Sequence, residues 1–393
     1  MEKDIIIIGG GPAGLSTALN LLKIDPNFAS KILVLEKEHY PRPKLCAGGL
    51  VIDAEILLQN LGLDVSEIPH VDGTALHFNY ARKGLTIRSP GQRLLRIIRR
   101  DEFDQWLADH AVERGIKIQQ QVRVMAIRTT GSEVIVETSA GVYHAKVVVG
   151  SDGSNGIVRR CILPQESGST ARLLEVLVPP NGNPGHDPKE AYFDFSPVPR
   201  GIAGYTWDFP TQVKNQEMRC WGIYDTNLLA RQKRAKLKDT LGEEMIHYGF
   251  NLDDAELKGH PIHLFNPFGK FCIPRVILIG DAAGADPLLG EGISFALGYG
   301  LITARELAKA FQKNDFSLQN YKKNLMLSPL GQALTFRWVI SRLIYPLHWV
   351  WFQILLWRIL KPLVIFLSGL FVINWAHRMV KFVAPVFPKQ PSV

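Results

Sequence analysis

Four cysteines in 393 residues (Cys46, Cys161, Cys220 and Cys272), none at C-x-x-C spacing, exclude a disulfide framework and a zinc site and fit a reducing cytoplasm. No metal is expected. Acidic residues are missing altogether after Asp315, while nine basic ones follow (Lys322, Lys323, Arg337, Arg342, Arg358, Lys361, Arg378, Lys381, Lys389). The rest of the chain holds 36 basic against 37 acidic residues, so the net charge of +8 belongs to the C-terminal tail. That tail is apolar and aromatic where a nucleic-acid surface would be polar, and a nucleic-acid partner is not expected. There is no internal repeat, no low-complexity segment, and no basic n-region with a cleavage site ahead of the first strand, so no signal peptide is expected. In the tail, the uncharged runs Leu343–Trp357 and Pro362–Ala376 are of 15 residues each. A spanning helix needs ~20.

What is present begins at once. Ile5 to Ile8 read as a strand buried on both faces of a parallel sheet. Gly9, Gly11 and Gly14 follow at G-x-G-x-x-G spacing, and Leu15, Ala18, Leu19 and Leu22 then repeat with helical period. Such glycines serve a tight turn, a close approach of backbone to a pyrophosphate, and close packing of helix on strand. The helix start supplies N–H groups and partial positive charge to the diphosphate. A second strand, Lys31–Leu35, ends at Glu36, where a ribose-binding acid belongs. This context predicts a bound dinucleotide.

Beyond Glu36, Tyr40-Pro41-Arg42-Pro43-Lys44-Leu45-Cys46-Ala47-Gly48-Gly49 must be a loop, at the strand end where open α/β sheets bind ligands. A helix is expected over Asp53–Leu61, a hairpin over 74–88 turning near Lys83-Gly84, and a helix from Arg99 to Gly115 with Asp101 as its N-cap. Short strands with turns at Thr130-Gly131 and Ala140-Gly141 predict a β-meander that ends in Ala145–Val149. Residues 170–265 are aromatic, strand-like and interrupted by prolines, which suggests an antiparallel sheet, and Arg231–Tyr248 reads as an amphipathic helix.

Two further turns narrow the dinucleotide to a flavin. Val147–Gly150 runs into Ser151-Asp152-Gly153, and Val276–Ile279 runs into Gly280-Asp281, Pro287, Gly290, Gly292 and a long helix from Ile293. Asp281 can accept hydrogen bonds from sugar-alcohol hydroxyls. The helix start near Gly292 can hold negative charge on the pyrimidine edge of a reduced flavin.

This order of motifs, with Arg100, Phe103 and Asp104 on the intervening helix, resembles the para-hydroxybenzoate hydroxylase-type flavoprotein superfamily over residues 1 to about 330, the usual extent of its domains. Within it, Pro41–Gly49 and Tyr205-Thr206-Trp207-Asp208-Phe209-Pro210 resemble the cysteine loop and the Tyr-x-Trp-x-Phe-Pro-Lys strand of the geranylgeranyl reductase family. Thr211 stands in the lysine's place, and Ala47 where glycine is usual.

The resemblance implies an α/β fold: a Rossmann-type FAD-binding domain, parallel sheet with β-meander (1–70, 99–165 and 272–330), an antiparallel-sheet substrate domain (71–98 and 166–271), and a C-terminal helical, apolar region (331–393). It implies that Gly9, Gly11, Gly14 and Glu36 bind the ADP half of FAD beside Arg100. Asp281 would hold the ribityl or pyrophosphate region, and Gly290 and Gly292 would lie against the isoalloxazine. Pro12, Ala13, Lys37, Arg42, Lys44, Cys46, Ala47, Gly48, Val124, Asp152, Gly153, Gly280, Pro287 and Ile293 complete the cofactor set. Cys46, Tyr205 and Trp207 are the implied catalytic residues. Cys46 is either proton donor or packing, and the two aromatics line an isoprenoid pocket or form plain sheet core.

The implied reaction is hydride transfer to a C=C bond of a polyprenyl chain, with a proton to the other carbon. No second G-x-G-x-x-G follows a strand, so electrons are expected from transiently bound NADPH or a ferredoxin-like protein. Monooxygenase and halogenase activities of the same superfamily compete with this reading. The Lys44–Gly49 loop argues against both, and a halogenase's Trp-x-Trp-x-Ile-Pro finds Tyr at 205 and Phe at 209. A non-catalytic, flavin-stabilised lipid-binding or electron-relay protein also stays open. The tail carries five of the eight tryptophans (Trp338, Trp349, Trp351, Trp357, Trp375) among exclusively basic charges. This suggests a peripheral anchor on a membrane through residues 338–393, against the rival readings of a dimer surface or a lid over the substrate tunnel.

Overall fold

The computed structural model describes residues 2–88, 93–164, 170–182, 187, 189–229, 234–371 and 373–384. An eight-stranded sheet is built on Glu2–Ile8, whose Ile5, Ile6 and Ile7 are wholly buried. Burying each such side chain stabilises the fold by roughly 1.5–3 kcal/mol. Parallel partners flank this strand: Ile32–Leu35 on one side, followed by Lys117–Gln119, and Gly141–Gly150 on the other, followed by Val276–Leu278. The meander expected from the Gly131 and Gly141 turns is present. Val124–Thr129 pairs with Val134–Thr138, which pairs antiparallel with the outer part of Gly141–Gly150. That one long strand therefore serves both the meander and the parallel core.

The second sheet has seven strands, in the order Lys258–His263, Thr170–Val178, Gln216–Asp225, Gly204–Val213, Glu190–Asp194, Ala75–Tyr80 and Lys83–Arg88. Its pairings are antiparallel except one: Glu190–Asp194 runs parallel to Ala75–Tyr80, so the sheet is mixed. A small sheet of Gly49–Leu50, Leu95–Ile98 and His70–Gly73 joins the two larger ones.

Three local expectations are corrected. The hairpin turns at Ala81-Arg82, both at positive φ (49° and 61°), and not at Lys83-Gly84. The left-handed pair is held by neighbours, because Ala81 N–H donates to Ser196 Oγ (2.9 Å) and Arg82 N–H to Asp194 Oδ2 (2.8 Å). Gly84 is needed for closeness instead, since a Cβ there would lie 2.1 Å from the Phe78 carbonyl oxygen. The second correction concerns Asp101. The helix runs Arg100–Glu113 with Arg99 as its N-cap, so Asp101 sits inside the first turn, where its charge still complements the helix dipole. The amphipathic helix is shorter than expected, Leu237–His247, and Arg231 lies outside the described residues.

The C-terminal region is helical, and much of it is core. Trp375 stacks on Phe295 at 5.1 Å, Trp357 stacks on Phe195 at 4.1 Å, and both are buried. Asp53 accepts the backbone N–H groups of Asn374 (3.0 Å) and Ala376 (2.8 Å), capping the Trp375–Val383 helix from across the molecule. Two of the tail's cations face inward, because Arg337 is 2% exposed and Arg358 donates to the Tyr80 carbonyl at 2.7 Å. Trp349, Val350, Trp351, Leu363, Ile365 and Phe366 are exposed. Among the described residues no single helix is long and apolar enough to cross a membrane, although Val350–Ile359 and Lys361–Gly369, bent by 72°, together reach the length and composition. The last nine residues of the suggested anchor lie outside the described ones.

Candidate active site

Each of the three motif glycines meets a different neighbour. Gly9 has φ +103°, and a Cβ there would strike the Ser151 carbonyl oxygen at 2.4 Å. Gly14 touches the Gly9 carbonyl, which a Cβ would approach to 2.2 Å, so helix and strand are locked together. At Gly11 a Cβ would meet only the Arg42 guanidinium, at 3.6 Å. Gly11 thus borders a cradle at the start of the Pro12–Ile24 helix, where Pro12 takes the first helical position. Ala13 packs against Gly280, whose own Cβ would come within 2.8 Å of it.

Glu36 closes this cradle. Its carboxylate accepts the N–H groups of Gly10 (2.9 Å) and Glu38 (3.0 Å) and lies 3.4 Å from Arg42 Nε. Arg42 also reaches Asp104 at 3.1 Å, and Asp104, fully buried, holds Arg100 through paired bonds of 2.8 and 2.9 Å. Burial works against the Arg100 charge, but the Asp104 pair outweighs it and raises its pKa. Lys44 lies 2.9 Å from His260 Nε2, and both are drawn toward their neutral forms. For Lys44 the main cause is burial, opposed by Asp281. For His260, pushed down to about 4, it is burial and then the Lys44 charge. A carboxylate for a ribose, the basic side chains of Arg42, Arg100 and Lys44, and a helix start with an open glycine fit a dinucleotide diphosphate.

The remaining sites converge on the junction of the two large sheets. Cys46 and Asp281 both lie within electrostatic reach of Arg100 and of Lys44. Gly48 turns the cysteine loop at φ +79°, and its N–H points to Cys46 Sγ at 3.4 Å, while Ala47 packs against the aromatic face of the second sheet. Tyr205, Trp207 and Phe209 alternate along one strand and line that face. The Tyr205 hydroxyl donates to the Leu289 carbonyl, which ties the aromatic wall to the Pro287–Gly292 loop. Pro287 is buried, Gly290 (φ +71°) packs on the Tyr224 ring, and Gly292 caps the Ile293–Lys313 helix with Asp281 3.7 Å from where its Cβ would be.

Other expected residues sit at the periphery. Asp152 lies beside Gly9, but its carboxylate turns to the Val158 N–H at 3.0 Å, and burial pushes it up to about 6. Gly153 follows it at φ +81°. Lys37 is exposed, and Val124 begins the meander two residues after Val122, whose N–H bonds the Glu36 carbonyl at 2.9 Å.

Several contributors were not legible in the sequence. Tyr40 donates to the Gly10 carbonyl, and a Cβ at Gly10 would collide with its hydroxyl at 2.0 Å. Arg337 and Tyr345 come from the tail, Tyr345 bonding the Leu288 carbonyl at 2.6 Å. A basic residue without acidic neighbours in sequence gave no sign that it was a buried ion-pair partner.

This fold and cradle define a flavin-dependent oxidoreductase. Residues 2–324 match the FAD-binding domain family, and the chain belongs to it. An uncharacterised protein of Methanosarcina barkeri is 30% identical over 318 residues, 80% of this chain and 77% of its own. Digeranylgeranylglycerophospholipid reductase 3 of Methanosphaera stadtmanae is 26% identical over 346 residues, 81% of each chain. The crystal structure of a geranylgeranyl bacteriochlorophyll reductase-like protein from Thermoplasma acidophilum superposes with TM-score 0.75 at 21% identity, covering 99% of this chain and 97% of that one. Halogenases and monooxygenases share the fold, so the fold alone does not choose among their reactions.

Proposed function

We propose that this flavoenzyme reduces C=C bonds of a polyprenyl chain, of the geranylgeranyl type carried by a lipid. The observation that carries the reading is the meeting of the Cys46 loop with the Tyr205–Trp207–Phe209 wall beside Asp281 and the Gly290–Gly292 loop. FAD, held by Gly9, Gly11, Gly14, Glu36, Arg42, Lys44, Arg100, Asp281 and Gly292, would supply the hydride in its reduced form.

An unactivated alkene develops no oxyanion, so this chain's residues act by placement and exclusion of water rather than by hydrogen bonding to the substrate. The aromatic wall supplies an apolar surface, and Cys46 supplies an S–H at its edge. Curated relatives named as digeranylgeranylglycerophospholipid reductases support the substrate class. Electrons would come from NADPH or a ferredoxin-like protein. The exposed Trp349, Trp351, Leu363 and Phe366, within a tail rich in cations, support peripheral contact with a membrane at its cytoplasmic face.

The test is anaerobic. The flavin-loaded protein is reduced with dithionite and mixed with a geranylgeranyl lipid, and flavin oxidation is followed with mass analysis of the product. Reoxidation with gain of two hydrogens per bond is expected. Stable reduced flavin that oxidises only when oxygen enters with substrate would overturn the reading in favour of a monooxygenase.

A further inference from the structure

The aromatic face of the second sheet is not fully covered. Trp207, Phe193 and Phe78 stand opposite one another on three adjacent strands, so their rings form one row across that face. Phe193 and Phe78 belong to inner strands, yet both keep part of their surface open, as do Leu76 on the same face and Ala47 of the cysteine loop. Open apolar surface on inner strands means that packing over the row is incomplete, and an apolar groove runs along it.

One end of the groove is at the cysteine loop, where a Cβ on Gly49 would touch the Phe209 ring at 3.4 Å. From there the ring centroids step to Phe193 (5.0 Å), to Phe78 (4.8 Å) and to Trp357 (6.0 Å). Trp357 closes the other end. It lies nearly parallel to Phe78 (11°) and stacks on Phe195 at 4.1 Å. It is also fixed from behind. Its Nε1–H donates to Gln353 Oε1 at 3.2 Å, and Gln353, 1% exposed, donates to the Leu347 carbonyl at 3.1 Å. The next residue, Arg358, ties the segment to the Tyr80 carbonyl. Leu355–Ile359 is a π-helical turn, a rare geometry frequent at functional sites. These tail residues lie beyond residues 2–324, which match the FAD-binding family.

We propose that Trp357 is the stop of this groove and determines how much polyprenyl chain can lie beyond the reacting bond. The proposal rests on the polyprenyl reduction above. An isoprene unit spans ~5 Å at ordinary C–C bond lengths. The three ring-to-ring steps therefore leave room for about three units between the cysteine loop and Trp357. The stop is built of rings with Leu356 and Val364, and Arg358 is occupied with a carbonyl, so it receives the methyl end of the chain while the polar head stays on the flavin side. A geranylgeranyl chain with its head-proximal double bond at the flavin has three units beyond that bond and fills the groove. A chain one unit longer meets the Trp357 ring before its head-proximal bond arrives.

The first test needs no turnover. The oxidised, flavin-loaded protein is titrated with geraniol, farnesol, geranylgeraniol and geranylfarnesol, and the melting midpoint is followed. In the wild type, affinity rises with each unit up to geranylgeraniol and then stops rising. In Trp357→Leu, and in Trp357→Ala if that protein folds, the rise continues to geranylfarnesol. A wild-type series that climbs without a break would overturn the proposal, whether or not either variant folds.

The second test is turnover of the dithionite-reduced protein on geranylgeranyl and geranylfarnesyl lipids with one headgroup, with the reduced position read by tandem mass analysis. The wild type is expected to reduce the head-proximal bond of the longer chain slower by about tenfold or more. Trp357→Leu, with unchanged FAD content, should bring the two rates together. Equal wild-type rates, or an unchanged ratio in Trp357→Leu, would overturn the stop and leave the reductase reading standing. Absence of prenyl reduction in the wild type would overturn the reductase reading, and the binding series would still decide the stop.

Discussion

Arg337 Nη1 lies 2.6 Å from Asp286 Oδ2 and 3.0 Å from Glu291 Oε2, with the arginine 2% exposed. One helix of the C-terminal region is thereby clamped to the loop that leads into Gly290 and Gly292. Breaking one side of a buried pair costs about 3–5 kcal/mol, because the remaining charges stay desolvated. Arg337→Leu is expected to lower the melting temperature and to lose FAD on gel filtration. A variant with unchanged melting and full flavin content would show that the clamp is dispensable.

Gly11→Val is expected to abolish FAD binding in a folded protein, because the only nearby group is the movable tip of Arg42. Gly14→Val is expected to fail earlier, in folding, since its Cβ would enter the Gly9 carbonyl. Absorbance of bound flavin and circular dichroism separate the two. A yellow, stoichiometrically flavinylated Gly11→Val protein would remove the diphosphate from this place.

Cys46→Ser should slow flavin reoxidation by an isoprenoid without changing FAD content. A proton donor of this kind contributes roughly 10²–10⁴-fold. Reoxidation at the wild-type rate would return Cys46 to a packing role.

Removing the whole tail is a poor test of membrane contact, because Trp357, Trp375 and Tyr345 would leave the core with it. Trp349 and Trp351, 50% and 60% exposed, can be changed instead. The Trp349→Glu, Trp351→Glu protein should sediment less with anionic liposomes and melt within about 0.5 kcal/mol of wild type, as surface changes do. Unchanged sedimentation would argue against an anchor at these residues.

His263 is 6% exposed, and burial followed by the Arg159 charge pushes it down to about 4. Its folded value lies below the unfolded one, near 6.5. Its neutral form therefore contributes stability above pH 6.5, and that contribution is lost as pH falls toward 4. Asp152, raised to about 6, works in the opposite sense over part of this window. The comparison that isolates the histidine is wild type against His263→Gln, whose urea midpoint should fall less steeply between pH 6.5 and 4. Parallel curves would show that His263 is not held neutral.

The sequence by itself determined whatever is local. Ile5–Ile8, the glycines at fixed spacing, Glu36 at a strand end and the Asp281 turn are each specified within a few residues, and each stands in the element expected of it. The alternation of Tyr205, Trp207 and Phe209 likewise fixed a shared face before any partner strand was known.

Tertiary structure decided what depends on partners distant along the chain. Glu190–Asp194 runs parallel to Ala75–Tyr80 because a strand's direction in a sheet depends on which distant strand it meets, and periodicity does not carry that. The hairpin turned at Ala81-Arg82 because Asp194 and Ser196, more than a hundred residues away, satisfy its N–H groups. The tail divided into core and surface in the same way. Asp53 caps a helix 321 residues further on, and Asp286 and Glu291 take up an arginine that in sequence has no acidic residue near it. Charge and apolarity can be counted along a chain, but whether a cation faces water or a buried carboxylate is settled only by what folds against it.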